Sequence, residues 1–200
     1  MKSICIEGIK ERLGKEVRVK IIKEQDKLSR TEIENDVVNG LVLITAKEAW
    51  TFFPLRSPAT NKIPDEELAA LQTEMDIAGP LLDYIAKGHK AELLGKETVE
   101  DNTCYKIKLT TKTGREMMFW VDAATYLINQ SSGMPIGGST RVDNGNLTLY
   151  KNYKEVEGVK FAHTYQTKTM ERGAPEISGE IFFYKIQVNQ TIDSKMFLPE

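Results

Sequence analysis

The side chains best suited to acid–base, nucleophilic or metal chemistry are scarce in this chain: two histidines and two cysteines in 200 residues. His89 follows Gly88 at the expected end of a helical stretch, where an imidazole usually serves as a solvent-exposed cap. His163 alternates with Phe161 and Tyr165 on a strand face expected to be apolar, and two roles stay open for it. It is either a buried ring bonded to a neighbouring Tyr or a backbone carbonyl, or a contact to the headgroup of a ligand. Two imidazoles cannot build a multi-histidine metal site within one chain. The carboxylate pairs Glu66-Glu67 and Glu155-Glu157 fall in a first helical turn and a strand-to-strand turn, where solvation accounts for them. No HExxH, GxSxG, P-loop or GxGxxG string occurs. Cys5 and Cys104 can form a disulfide only if two distant strands meet; free cysteines are commonly small buried hydrophobes. The expected chemistry is binding without catalysis, with no catalytic residue, no metal and no cofactor.

The elements that would position a binding site are mostly strands. From Gly88 to Ile128, strand-like blocks are joined by turn signals at Glu100-Asp101-Asn102 and Thr113-Gly114, and Lys151 to Thr169 echoes the same order. Tyr105, Ile107 and Leu109 point to one face, Lys106, Lys108 and Thr110 to the other. Ser3 to Arg12, Glu16 to Glu24, Lys27 to Val38 and Leu41 to Phe53 read as four earlier strands, with a hairpin turn expected at Asn39-Gly40. Leu147 to Val156, Val159 to Met170 and Ser178 to Val188 complete the sheet. Gly8 marks a candidate bulge. A second is expected near Tyr184, where the apolar phase passes from Ile181 and Phe183 to Ile186 and Val188. Ser131 to Gly145, rich in Gly and Ser, reads as a loop.

One stretch departs from period-2 alternation. Pro64 opens a helix at the position where its missing N–H is harmless, and Asp65, Glu66 and Glu67 suit the positively polarised first turn. Leu68, Leu71 and Met75 form its apolar stripe. Gly79-Pro80 interrupts it, and a short second helix from Leu81 to Ala86 is expected to end at Gly88. The fold class is therefore mainly β: a strongly curved antiparallel sheet, an open half-barrel of about nine to eleven strands. A helical insert over residues 64–87 covers its concave face as a lid, docking through Leu68, Leu71, Leu82 and Ile85. The residues expected to line an apolar cavity are Val17, Val19, Ile21, Trp50, Phe52, Leu71, Leu82, Tyr105, Ile107, Leu109, Phe119, Val121, Phe161, His163, Tyr165, Ile181 and Phe183.

Charge and hydropathy narrow the partners. The 27 basic and 29 acidic residues are dispersed, without a basic block, so a nucleic-acid surface is not expected. No apolar run is long enough to span a bilayer as a helix, and the N-terminus lacks the apolar core of a secretory signal.

Several strings, in order along nearly the whole chain, resemble the LolA/LolB-type outer-membrane lipoprotein-sorting family. They include Ala49-Trp50 through Pro54, Pro64-Asp65-Glu66-Glu67-Leu68, Gly79-Pro80-Leu81-Leu82-Asp83-Tyr84, and Gly88-His89-Lys90 through Gly95-Lys96-Glu97. Cys104 to Leu109, Phe119-Trp120-Val121-Asp122-Ala123, Tyr153 to Phe161 and Val188 to Asp193 continue the set. The resemblance implies one domain over residues 1–200, a periplasmic location and an apolar concave face that accepts acyl chains of lipoproteins or other lipids. It also implies inner- or outer-membrane partner proteins. The family's signal peptide and first helix are expected to lie outside this chain, and Ala49 stands where the family often has Gly. A second function from a different class uses the same half-barrel as a protein-interaction or envelope-stress sensor module, with a peptide or partner in the groove.

Overall fold

A computed structural model of the chain describes residues 1–12, 15–34, 39–55, 57–133, 146–171 and 174–199. The strands β1 (Ser3–Arg12), β2 (Lys15–Glu24), β3 (Leu28–Glu34), β4 (Asn39–Thr45), β5 (Ala49–Phe52) and β6 (Asn61–Lys62) come first. The insert follows, then β7 (Lys90–Val99), β8 (Asn102–Thr110), β9 (Glu116–Asp122), β10 (Ile128–Ser132), β11 (Leu147–Val156), β12 (Val159–Glu171) and β13 (Ala174–Val188). All belong to one 13-stranded sheet with the order β6-β5-β4-β3-β2-β1-β13-β12-β11-β10-β9-β8-β7. Every pairing in it is antiparallel. The sheet is open: β6 and β7 are its two outer strands.

The strand number exceeds the expected nine to eleven for a local reason. Leu41 to Phe53 is not one irregular strand but a hairpin, closed where the Thr45 N–H donates to the Glu48 carbonyl at 2.8 Å. The short strands β6 and β10 add the rest. The Asn39-Gly40 turn is also corrected, because Asn39 pairs with Glu34 and Gly40 with Ile33 inside the β3–β4 ladder. Gly40 is needed for space instead: a Cβ there would lie 2.5 Å from the Phe53 ring. The Ser131–Gly145 loop falls mostly outside the described residues.

The bulge near Tyr184 is present. Glu7 pairs with Lys185 and Gly8 with Phe183, so Tyr184 is skipped and Phe183, Ile186 and Val188 all reach one face. Gly8 lets the strands close here, since a Cβ on it would sit 2.6 Å from the Phe183 ring and 2.7 Å from the Phe182 carbonyl oxygen.

The insert leaves the sheet at one edge, after β6, and returns at the other, in β7. Its helix α1 (Asp65–Leu71) passes directly into a 3-10 turn, Gln72–Met75. Residues 80–88 are a chain of turns rather than the expected second helix, with Asp83 at a φ of 53°. Leu71 and Met75 pack on Val42, Ile44 and Ala49 from the β4–β5 hairpin. Ile77 meets the cluster of Ile4, Ile6 and Phe183, while Leu81 and Tyr84 cover Leu109, Met117 and Phe119 from β8 and β9. One short segment thus touches both halves of the sheet. That is possible only if the sheet curls, and the face it covers is the inner one.

The other face has its own cover. Leu41, Leu43, Trp50 and Phe52 pack there with Ile22 and Leu28 against Ile192, Met196 and Phe197 of the C-terminal segment. Arg30 holds that segment by donating to the Leu198 carbonyl at 2.9 Å. Farther along, Val99, Cys104 and Trp120 make a second outer cluster. Cys5 and Cys104 are both free thiols.

Candidate functional site

Pairing register decides which side chains share the inner face. Ile6 opposes Ile21, Val19 opposes Gly8, and Val17 opposes Lys10. Leu109 opposes Met117, Ile107 opposes Phe119, and Tyr105 opposes Val121. Tyr165 opposes Ile181. The structure brings Val17, Val19, Ile21, Tyr105, Ile107, Leu109, Phe119, Val121, Phe161, Tyr165, Ile181 and Phe183 to the same side of one curled sheet, with Leu71 above them. Their burial is uneven. Val17, Val19, Leu71, Leu109, Phe119 and Phe183 are buried, whereas Ile107 and Val121, with their neighbour Ile128, are only half covered. Tyr105 is also half buried, with the Lys96 ammonium 5.0 Å from its ring centroid.

Three expected cavity residues are placed elsewhere. Trp50 pairs with Leu43 and Phe52 with Leu41, which turns both rings to the outer face. The hairpin at residues 45–48 sets that phase. Leu82, expected to dock with Ile85, points outward with it: the two are 58% and 74% exposed, and Leu81 and Tyr84 make the contacts instead.

His163 is committed to the backbone. The β12–β13 ladder ends at Thr164 and Phe182, and the His163 Nδ1–H donates to the Phe183 carbonyl at 2.7 Å just beyond that point. The ring is buried, and its Nε2 has no partner among the described residues. His89 is not a free cap either, since its Nδ1 accepts the Lys112 N–H at 3.1 Å and ties the end of the insert to the β8–β9 turn. Burial and the nearby Lys87 and Lys112 hold its pKa below the ordinary value. Among the described residues no three His, Cys, Asp or Glu side chains gather as a metal site would need.

Sequence reasoning missed a charged group under the insert. Glu74, on the 3-10 turn, faces inward with its Oε2 3.7 Å from the Lys23 Nζ of β2, both side chains about four-fifths buried (20% and 19% exposed). Arg115, two residues before the inner-facing Met117, interacts electrostatically with the same carboxylate. Its Nε and Nη2 are buried without a partner among the described residues. Burial holds the Glu74 carboxyl above its ordinary value, against the opposing pull of Lys23 and Arg115. Tyr150 and Tyr165 stand nearby with rings edge-to-face at 4.9 Å, their hydroxyl pKa values raised by burial. The Tyr150 hydroxyl is bonded to Ser131 Oγ at 2.8 Å. On a flat sheet Lys23 and Arg115 would lie six strand spacings apart, about 29 Å. One carboxylate acting on both shows how far the sheet curls. No local pattern could reveal this group, because its members lie far apart in the chain.

Among the described residues the inner face is thus largely apolar, with the charges of Glu74, Lys23 and Arg115 gathered under the insert. Comparison with solved structures agrees on the architecture: the chain has the LolA-type fold. A LolA superfamily protein from Nitrosomonas europaea superposes with a TM-score of 0.63 at 14% identity, over 99% of this chain and 90% of that one. A DUF1329 family protein from Desulfovibrio piger gives 0.63 at 16% identity, over 98% and 90%. A candidate outer membrane lipoprotein-sorting domain from Vibrio parahaemolyticus gives 0.56 at 15% identity, over 98% and 88%. No protein-family profile and no curated protein sequence matches the chain. No helix among the described residues is long and apolar enough to cross a membrane.

Proposed function

We propose that residues 1–200 act as one periplasmic LolA-like domain that binds acyl chains of lipids or lipoproteins in the trough and carries them without catalysis. The observation that carries this reading is the uneven cover of the inner face. Ile107, Val121 and Ile128 are half covered beside an insert whose Leu82 and Ile85 are free to meet a ligand. Removing an acyl chain from water yields roughly 0.8 kcal/mol per methylene, about 12 kcal/mol for a chain of about 15 carbons. A carrier takes its cargo from a membrane, where that gain is already realised, so its site must hold lipid about as well as a bilayer does. A partly covered trough under a segment of turns suits that balance better than a closed core. The residues assigned to lipid contact are those left half covered, Tyr105, Ile107, Val121, Phe161, Tyr165 and Ile181 among them.

Native mass spectrometry of the protein purified from its own cells tests the proposal. Retained fatty acid, phospholipid or acylated peptide is expected. A lipid-free protein that takes up no acyl ligand from vesicles would sink it.

A second reading rests on β7, whose side chains are almost all exposed and whose outer edge is unpaired in the sheet. Such an edge accepts an extended peptide by strand addition. Hydrogen exchange separates the two: a peptide partner protects the β7 amides, whereas an acyl ligand protects the insert and leaves β7 unchanged.

A further inference from the structure

The charges beneath the insert do not balance. Lys23 and Arg115 bring two cations to the inner face; among the described residues Glu74 is the only carboxylate in an ion pair with Lys23, and the same carboxylate acts electrostatically on Arg115. The pairing is loose: 3.7 Å is beyond hydrogen-bonding distance, and two nitrogens of the Arg115 guanidinium have no acceptor among the described residues. A guanidinium stays charged and offers its donors in a planar fork matched to carboxylate or phosphate oxygens. Burying such donors unpaired is costly. A methionine or leucine at position 115 would continue the apolar stripe of Met117 and Phe119.

The carboxylate they share is carried by the insert, not by the sheet. Lys23 belongs to β2, and Arg115 closes the β8–β9 turn immediately before β9, its carbonyl accepting the Thr111 N–H at 2.8 Å, so both cations are carried by the sheet and its turns. Any displacement of the 3-10 turn removes Glu74 from them and leaves two cations facing an apolar trough. The half-covered strip of Ile107, Val121 and Ile128 lies on the same face as Arg115.

We infer that Lys23 and Arg115 form the binding site for the anionic headgroup of an acyl ligand, a carboxylate or phosphate, and that Glu74 occupies this site when no ligand is bound. This inference rests on the proposed acyl binding and adds the class of headgroup. The ligand's anion replaces Glu74, its oxygens accept from Arg115 Nε and Nη2 and from Lys23 Nζ, and its tail lies along the apolar strip. Loading and movement of the insert are then one event, because the headgroup and Glu74 compete for the same donors.

The test uses the full chain and displacement of the neutral probe N-phenyl-1-naphthylamine by hexadecanoate, hexadecyl phosphate, hexadecanol and inorganic phosphate. Hexadecanoate and hexadecyl phosphate should displace the probe at about tenfold lower concentration than hexadecanol, as expected for charge-assisted hydrogen bonds in a site of low polarity. Inorganic phosphate alone should displace nothing, since the site is for an amphiphile and not for a free anion. Arg115→Gln and Lys23→Gln should each shrink the preference for the anionic amphiphiles over hexadecanol toward unity; Glu74→Gln should widen it. Circular dichroism confirms that each variant is folded, and the wild-type comparison needs no variant at all. Equal displacement by hexadecanoate and hexadecanol in the wild type overturns the headgroup inference but leaves acyl binding standing. A preference that survives both cation substitutions overturns it as well. Failure of every amphiphile to displace the probe removes the acyl-binding proposal and this inference together.

Discussion

The two ends of the sheet are built to different standards. At β4 the consecutive residues Leu41, Val42, Leu43 and Ile44 are all at most 6% exposed, because the insert covers one face and the C-terminal segment the other. At the opposite end the outer strand β7 is almost entirely exposed, and the neighbouring β8 shows half-buried Ile107 and Tyr105 on its inner side. A strand sealed on both faces holds the fold together; one covered on a single face by a chain of turns is free to change what covers it. The difference separates the part of the molecule that gives stability from the part proposed to exchange a ligand.

Truncation at the sealed end should have the largest effect. Leu43→Ala removes a fully buried side chain from a region closed on both faces, and a loss of about 2–5 kcal/mol in urea unfolding is expected. The equivalent cut at the open end, Ile107→Ala, should cost clearly less, about 1–2 kcal/mol, since an incompletely buried side chain loses less burial, while weakening acyl binding. Equal losses at the two positions would erase the distinction.

The insert divides in the same way. Leu71 is fully buried and Leu82 is 58% exposed. Leu71→Asp should unfold or strongly destabilise the protein, whereas Leu82→Asp should change stability by no more than about 0.5 kcal/mol yet reduce retention of a bound acyl chain. If Leu82→Asp lowers the unfolding midpoint as much as Leu71→Asp, the insert is uniform core.

A spectroscopic contrast is smaller but sharper. Both tryptophans, Trp50 and Trp120, belong to outer-face clusters, while Tyr105, Tyr150 and Tyr165 stand on the inner face. Saturation with hexadecanoate should leave tryptophan emission nearly unmoved and alter the near-ultraviolet circular dichroism of tyrosine. A tryptophan blue shift of several nanometres would place the ligand on the wrong face.

The least effect is expected from pH. Glu100, in the β7–β8 turn, accepts from Lys151 at 2.9 Å and Lys168 at 3.2 Å, and the Lys151 hydrogen bond is the main cause holding its carboxyl below the ordinary value. The lowered folded-state value means that this contribution is present above the unfolded carboxylate range and is lost as pH falls through the folded value. Glu100→Gln should therefore destabilise slightly at neutral pH and flatten the acid limb of the stability profile; the effect is modest because the pair is partly exposed. An unchanged acid limb would show the turn to be uncoupled from β11 and β12.

Much of this architecture was legible where one face is apolar and the other is not. Alternation in β2, β8 and β9 placed Val17, Val19, Ile107, Leu109 and Phe119 together, and the phase change at Tyr184 gave the bulge. It failed at Leu41–Ile44, where both faces are buried and every residue is apolar, so periodicity carries no facing information. Trp50 and Phe52 inherited that ambiguity through the hairpin. Leu81, Leu82 and Ile85 form a short apolar run in which the turn geometry, set partly by Asp83 at positive φ, selects the contacting residue. Lys23, Glu74 and Arg115 carry no pattern at all until the sheet curls.

The central ladder has a temporal consequence. β1 is flanked by β2 on one side and by β13 on the other, so the backbone pairing between the two halves of the sheet runs through β1 and β13. Strands β1 to β6 can assemble from near neighbours while the chain is still being made. They must then wait, with the inner edge of β1 unpaired, until β13 has emerged and can add to it. Contacts of such long sequence separation form late and slowly. During that interval Ile4 and Ile6 lack their β13 partners and expose an apolar strand edge, so the growing chain is most prone to aggregation just before its last strand arrives.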